Sequence, residues 1–404
     1  EGTGRAMAYP DVILRPGRER NIREGHPWVF SGAVASRPPP VEPGGIVDVR
    51  DSDGVFVGRG YYNPASSIPV RVMTRDPGQN VGRAFLSRRI QEAYALRKAW
   101  IDTKRTNAYR VVHGESDGLP GLIVDRYADF LVVQFHTLGM DRLRDPILEA
   151  LQHVGSVSGI FERSDVGTRR AEGLETQPVG PLSGKEPPER IEIRENRVAF
   201  WVDIWKGQKT GFFLDQRENR LASQSFARDR EVLNCFCYSG GFSVFAARGK
   251  AREVVSVDVS EPAVELARRN LELNRLDVDA NPCVVDNVFD YLKASKDEGR
   301  RFDMAIVDPP AFVKTQEALD TAVRAYISLN RKAIEVLRPG GVLVSASCST
   351  QVDYETFFLI LRRAAAASRR NLHIVKSHLQ AVDHPALTAF PEGRYLKCLF
   401  GIVQ

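Results

Sequence analysis

Val232-Leu233-Asn234-Cys235-Phe236-Cys237-Tyr238-Ser239-Gly240-Gly241-Phe242, followed by Glu253-Val254-Val255-Ser256-Val257-Asp258, decides the reading of the C-terminal half. A short apolar run passes through paired glycines into a helical pattern. A second run ends on an acid, after which Ser260 and Pro262 give a helix start signal. That helix puts Val264, Ala267 and Leu271 on one face. Further strands are expected at 283–286, 302–307 and 341–345, with helices between them. Strands that are apolar throughout need cover on both faces, so residues 204–404 read as a doubly wound, mostly parallel α/β sheet.

Toward the N-terminus the texture changes twice. From Val12 to Thr74 short apolar runs are separated by Arg37-Pro38-Pro39-Pro40, Pro43-Gly44-Gly45 and Asp53-Gly54, which reads as a small β-barrel over 7–80, with Glu1 to Ala6 set aside. Residues 81–203 read as a small central α+β domain. It comprises a helix over 83–102, a β-meander through 109–135, a helix near 142–154, strands at 160–162 and 197–202, and a Pro/Gly-rich loop over 177–188.

Composition limits the function classes. The 404 residues are 43% hydrophobic and 26% charged, within the range of packed globular proteins. No apolar run reaches the roughly 20 residues of a bilayer helix, so no membrane partner is expected. Five cysteines, Cys235, Cys237, Cys283, Cys348 and Cys398, confined to the second half, argue for reduced thiols and a cytoplasmic location. Residues 10–110 carry 17 Lys/Arg against 10 Asp/Glu, so the net +5 of the whole chain is concentrated there, as expected of a surface that meets an anionic polymer; a merely solvated face is the bland alternative.

In a doubly wound sheet, ligands sit beyond the carboxyl ends of the strands near the first strand-to-helix turn. The Gly240-Gly241 turn has neither the spacing of a dinucleotide loop nor the Gly-Lys-Ser/Thr of a phosphate loop. Asp258 ends the second strand, where a carboxylate accepts ribose hydroxyls. Asp286 ends the third, within reach of an adenine amino group, with Val288 and Phe289 as apolar cover. An adenosyl group without pyrophosphate suits S-adenosylmethionine; the bland alternative is that both acids cap helices. Asp308-Pro309-Pro310 ends the fourth strand and Ser347-Cys348-Ser349 the fifth, so a thiol and a carboxyl face one crevice. Cys348 could add to C6 of a pyrimidine while protonated Asp308 bonds N3, which makes C5 nucleophilic; the target base must leave its stack. No zinc spacing is present, and no metal is expected.

Several blocks carry a resemblance: Gly25-His26-Pro27-Trp28-Val29-Phe30-Ser31-Gly32, Gly114-Glu115-Ser116-Asp117-Gly118-Leu119-Pro120-Gly121, Lys209-Thr210-Gly211-Phe212-Phe213-Leu214-Asp215-Gln216-Arg217, the loop from Asn234 to Gly241, Asp308-Pro309-Pro310 and Ser347-Cys348-Ser349. With them the chain resembles, over 12–403, the 23S ribosomal RNA cytosine-5 methyltransferases that carry an N-terminal PUA domain. The resemblance implies a PUA barrel, a central α+β domain and a class I methyltransferase domain, Cys348 as nucleophile and Asp308 as base-anchoring acid. It also implies that Gln216, Tyr238, Gly240, Asp258 and Asp286 line the cofactor site. The broader RNA cytosine-5 methyltransferases carry a second cysteine after the Asp-x-Pro, where this chain has Ala311.

The residue reading and the resemblance together give a candidate cofactor set of Gln216, Phe236, Tyr238, Ser239, Gly240, Gly241, Phe242, Asp258, Val259, Asp286, Asn287, Val288 and Asp308. Arg18, Arg20, Arg23, Trp28, Lys209 and Arg217 are the candidate RNA contacts, through phosphate pairing and base stacking, with barrel core as the other role for Trp28. The expected partner is large-subunit rRNA or a ribosomal precursor particle, and homodimerisation is allowed. Two rival functions are methylation of a base nitrogen, which needs no thiol, and a non-catalytic RNA-binding or ribosome-assembly role.

Overall fold

The computed structural model describes residues 9–35, 41–176, 179–312 and 319–404, so Met7 and the Arg37 to Pro40 turn lie outside the described residues. The chain divides into two compact units. One comprises residues 1–191, 203–211 and 382–393; the other comprises 192–202, 212–381 and 394–404.

In the first unit, β1 (Asp11–Ile13), β2 (Trp28–Val29), β3 (Ile46–Arg50), β4 (Phe56–Tyr62) and β5 (Val70–Thr74) form a curled sheet of order β1-β3-β4-β5-β2. A bridge between Leu14 and Val34 ties its two margins together. Alternate residues point inward, and Val12, Val29, Val47, Val49, Val57 and Val70 fill the curl. The helix Arg83–Trp100 packs its Phe85, Leu86 and Ile90 into a second core, with β6 (Ala108–His113), β7 (Leu122–Tyr127), β8 (Phe130–Phe135), β9 (Gly159–Glu162) and β10 (Gly180–Gly184) in the order β10-β9-β8-β7-β6.

Two local expectations are corrected here. Within the expected loop 177–188, Gly180–Gly184 is a strand: it lies at the sheet edge beside β9, with its register shift at Pro181, where a missing N–H does least harm. The helix expected near 142–154 is two helices, Leu138–Arg142 and Arg144–Leu151. They break at Leu143, because the ring of Pro146 opposes the carbonyl four residues back.

The second unit opens within the hairpin of β11 (Ile191–Glu195), from Glu192 on, and β12 (Val198–Val202), turned by Asn196 and Arg197 at φ 50° and 68°. Next come β13 (Glu231–Cys235), β14 (Glu253–Asp258), β15 (Cys283–Val285), β16 (Phe302–Val307), β17 (Leu337–Ser347), β18 (Leu372–His378) and β19 (Lys397–Val403). Their order is β15-β14-β13-β16-β17-β19-β18, with β13 to β17 parallel and β19 antiparallel to both neighbours. Leu233, Val255, Ala305 and Leu343 face one helical layer, and Val232, Val254, Ile306 and Val344 the other. The apolar runs are therefore buried on both sides, as their lack of alternation requires. The antiparallel pair β18 and β19 extends the sheet beyond the strands expected from the sequence. The chain reverses its direction of travel across the sheet between β13 and β16, which opens a crevice at their carboxyl ends.

Candidate active site

The loop after β13 is built from unusual backbone. Phe236, Tyr238 and Gly240 have φ of 58°, 46° and 77°, a left-handed alternation that non-glycine residues adopt at a cost of about 1–3 kcal/mol each. A Cβ on Gly240 would lie 2.9 Å from that of Ala267, on the helix Glu261–Leu273, so glycine is required twice over. Polar side chains hold this shape. Asp258 accepts from the backbone N–H of Tyr238 at 2.9 Å and of Ser260 at 3.0 Å, joining the first and second strand tips. Asn270 donates to the Ser239 carbonyl at 2.9 Å and accepts from the Trp201 N–H at 2.7 Å, which ties the loop to the edge of β12. Beneath, Asn234, Ser243 and Ser256 form a buried chain of hydrogen bonds at 2.8 and 2.7 Å.

These residues fit an adenosyl ligand. Among the described residues the buried Ser239 hydroxyl has no hydrogen-bond partner, which a native fold leaves only where something else satisfies it. Val259 and Val285 stand 72% and 51% exposed at the tips of β14 and β15, apolar surface suited to a flat ring. Asp258 has capacity beyond its two backbone bonds, since a carboxylate offers about four acceptor sites. Asp286 is half-buried and accepts from the Asn287 N–H at 2.7 Å, whereas Asn287 caps the helix Val288–Asp297 by accepting from Phe289 N–H at 2.9 Å. Capping of that helix thus falls to Asn287 rather than Asp286. Val288 is buried beneath it, and Phe242 is buried in the first turn of the helix Gly241–Arg248.

Asp308 and Cys348 lie just past the carboxyl ends of β16 and β17, adjacent parallel strands paired through Val307 and Ser345, and both are half-buried. Burial, and next the negative charge of Asp215, push the Asp308 carboxyl up to about 7, against the pull of Arg220 and a hydrogen bond from Gln216. Near neutral pH this acid is divided between its protonated and charged forms. Gln216 Oε1 accepts from Asn219 at 2.6 Å, which leaves its amide N–H groups for Asp308. The segment carrying Asp215 and Gln216 is fixed by Arg220, which pairs with buried Glu195 through two 2.7 Å bonds and donates to the Phe213 carbonyl at 2.8 Å. Asp215 accepts from the Tyr395 hydroxyl at 2.7 Å.

Tyr326, wholly buried, accepts from Ser347 at 3.1 Å, and burial pushes its phenol up to about 12, with the charges of Cys348 and Asp308 adding to the rise. The remaining cysteines are placed differently. Cys235 and Cys398 are core residues, Cys237 packs against Val264 and Ala267, and Cys283 is half-buried beside that cluster.

Sequence reasoning missed Asp215, Asn270, Tyr326 and Lys397, a buried lysine at the start of β19. Asn270 and Tyr326 left a legible signal, a polar group on the apolar face of a helix pattern, whereas Asp215 and Lys397 left none.

The expected RNA contacts divide. On the first unit, Arg18, Arg20, Arg23 and Lys209 are exposed, although Arg20 pairs with Glu24 at 2.9 Å and Arg23 with Asp51 at 2.6 Å. Trp28 is half-buried; its indole donates to Glu115 at 2.9 Å and its ring meets Phe390 edge-on at 4.7 Å, so it has a packing role there. Arg217, in contrast, is a correction: it is only 3% exposed, inside the second unit and paired with Glu218 at 3.2 Å, so it does not present a surface cation.

Residues 12–75 match the model of a PUA-like domain, and residues 176–393 that of an S-adenosylmethionine-dependent methyltransferase. The chain is 42% identical over 387 residues to ribosomal RNA large subunit methyltransferase I of Cronobacter sakazakii, covering 96% of this chain and 97% of that one. The protein of the same name from Escherichia coli strain K12 matches at 42% over 387 residues, with the same coverage. Among solved structures, SMU.776, described as a methyltransferase and solved with SAH, superposes with a TM-score of 0.85 at 23% identity over 98% of this chain and 100% of that one. A second, described as a SAM-dependent methyltransferase from Streptococcus mutans, gives 0.84 at 24% identity with 98% and 100% coverage.

Fold and site thus define an S-adenosylmethionine-dependent methyltransferase with an N-terminal PUA-like domain. The chain belongs to the ribosomal RNA large subunit methyltransferase I family, and its cofactor is S-adenosylmethionine. Among the described residues no helix is long and apolar enough to cross a membrane, and no group of His, Cys, Asp or Glu could hold a metal ion.

Proposed function

We propose that the protein methylates C5 of a cytidine in large-subunit rRNA, free or in a precursor particle, by covalent catalysis through Cys348. The reading is carried by one observation: a half-buried thiol and a carboxyl poised near pH 7 stand side by side at the tips of adjacent parallel strands. It is supported by the names of the relatives, which act on large-subunit rRNA.

In this reading the Cys348 thiolate forms a bond to C6 of the cytosine. The displaced electron pair moves through the ring to N3, which takes the proton of Asp308, and C5 becomes the nucleophilic carbon. Protonated Asp308 is suited to that donation, and Gln216 holds it in place. Bound S-adenosylmethionine, held by the 236–242 loop, Asp258, Val259 and Asp286, supplies an electrophilic methyl group. Once C5 carries the methyl group, loss of the C5 proton to solvent restores the ring double bond, breaks the S–C6 bond and releases the thiolate, while N3 returns its proton to Asp308. The PUA-like residues 7–80, with Arg18, Arg20, Arg23 and Lys209, are proposed to hold the RNA backbone, beside a central domain of 81–203 and the catalytic domain of 204–404.

The test is incubation with labelled S-adenosylmethionine and rRNA lacking its modifications, followed by nucleoside analysis. Label in 5-methylcytidine is expected, and it should vanish with Cys348→Ala. Label only in an N-methylated base, retained by that variant, would overturn the proposal, and so would no label at all with cofactor bound.

A further inference from the structure

Lys397 opens β19, and its backbone partner in the antiparallel pairing with β17 is Ser347, the residue before Cys348. Its ammonium bends over the strand tip and donates to the carbonyl of Ser349, the residue after Cys348, at 2.6 Å, and to that of Tyr395 at 2.9 Å. The lysine therefore brackets the thiol from both sides in sequence. It is 2% exposed, and a lysine is almost never buried so fully without an anionic partner.

Among the described residues no carboxylate lies within ion-pairing distance of Lys397. Asp353, an acid whose charge it feels, is exposed, and its carboxylate caps the helix Tyr354–Ala367 by accepting from the Thr356 N–H at 2.8 Å. The other negative charge acting on Lys397 is that of Cys348, and the same thiol and Asp308 both act on the Tyr326 phenol nearby. The two carbonyls take two of the three ammonium N–H groups, which leaves one donor for an anion at the strand tip.

We infer that Lys397 is the counter-ion of the Cys348 thiolate: the Sγ proton leaves for solvent, the ammonium keeps its three protons, and the pair persists at neutral pH. The inference rests on the proposed role of Cys348 as nucleophile and makes Lys397 a positioning residue that acts through it. Burial lowers the amine to about 8, so the ammonium is present at neutral pH and is lost above about pH 8. A thiolate is the reactive form of cysteine, and a neighbouring cation is one of the ways proteins populate it below its ordinary value of about 8.5.

The experiment is the pH profile of Cys348 alkylation by iodoacetamide in the full chain, read peptide by peptide by mass spectrometry, for wild type, Lys397→Met and Lys397→Arg. Wild type is expected to titrate clearly below about 8.5, Lys397→Met to rise by about one pH unit, and Lys397→Arg to restore the low value. At a pH well below both midpoints the loss of charge would slow alkylation about tenfold, since one pH unit is there a tenfold change in thiolate fraction. A wild-type midpoint at or above about 8.5 overturns the inference without recourse to any variant, and so does an unmoved profile in folded Lys397→Met. A parallel trap with 5-fluorocytidine RNA separates the two claims. A crosslink at Cys348 with an unmoved profile refutes the ion pair alone, whereas a displaced profile with no crosslink upholds the ion pair and refutes the C5 chemistry.

Discussion

Asp308→Asn should stabilise the fold while destroying activity. The folded protein holds the Asp308 proton up to about pH 7, against an ordinary value of 3.8. A carboxyl raised in this way favours folding while it is protonated, below about pH 4, and that advantage is lost as pH rises to about 7. Ionising it in place costs about 1.4 kcal/mol for every tenfold weakening of the acid, and a weakening of about a thousandfold sets an upper limit of ~4 kcal/mol at neutral pH. By linkage the cost is ~1.7 kcal/mol at pH 5 and ~4 kcal/mol from pH 7 to 8, and water entry would reduce both by about half.

Asparagine preserves shape and the contact with Gln216 but carries no charge. Urea denaturation of wild type and variant at pH 5, 6, 7 and 8 should therefore show the variant's advantage growing by ~1–3 kcal/mol across that range and levelling off above pH 7. Methyl transfer should fall by about 10²–10⁴, the usual contribution of a positioned general acid. A stability difference that stays constant from pH 5 to 8 would show Asp308 to be an ordinary solvated carboxylate and would remove the acid from the scheme.

Gly240→Ala should lose ~2–4 kcal/mol of stability, the left-handed φ of 77° adding to a Cβ contact of 2.9 Å with Ala267, and calorimetry should show weakened S-adenosylmethionine binding. Asn270→Ala leaves the Trp201 N–H without its acceptor and the Ser239 carbonyl without its donor, at ~1–3 kcal/mol for each buried group. Its thermal midpoint should fall, and bound cofactor should recover part of the loss by holding the loop.

The strands β13, β14 and β16 were legible within a residue because each is buried on both faces and so appears as an uninterrupted apolar run. The antiparallel pair β18 and β19 was not. Leu372–His378 mixes apolar with exposed polar residues, as an edge strand does, and β19 begins with a lysine whose burial depends on partners far away in sequence. The same reason hid Lys397 and Asp215. Cys348, Asp308 and Asp258 lie at strand ends and can be read locally, whereas the Asp215 charge that helps to raise Asp308 arrives from the 212–216 segment. Arg217 failed as a surface cation because its neighbours in sequence do not reveal which face of the helix Arg217–Phe226 is inside. At Pro181, proline read as a loop because sequence does not say which strand will be the edge.

The covalent bond between enzyme and base is the central claim. RNA carrying 5-fluorocytidine at the target position cannot lose its C5 substituent, so wild-type protein incubated with it and S-adenosylmethionine should become tethered to the RNA through Cys348, in a denaturant-stable adduct located by peptide mass spectrometry. Cys348→Ala should form none. Turnover of unmodified RNA without any adduct on the fluorinated strand, or an adduct mapped to another residue, would contradict the mechanism.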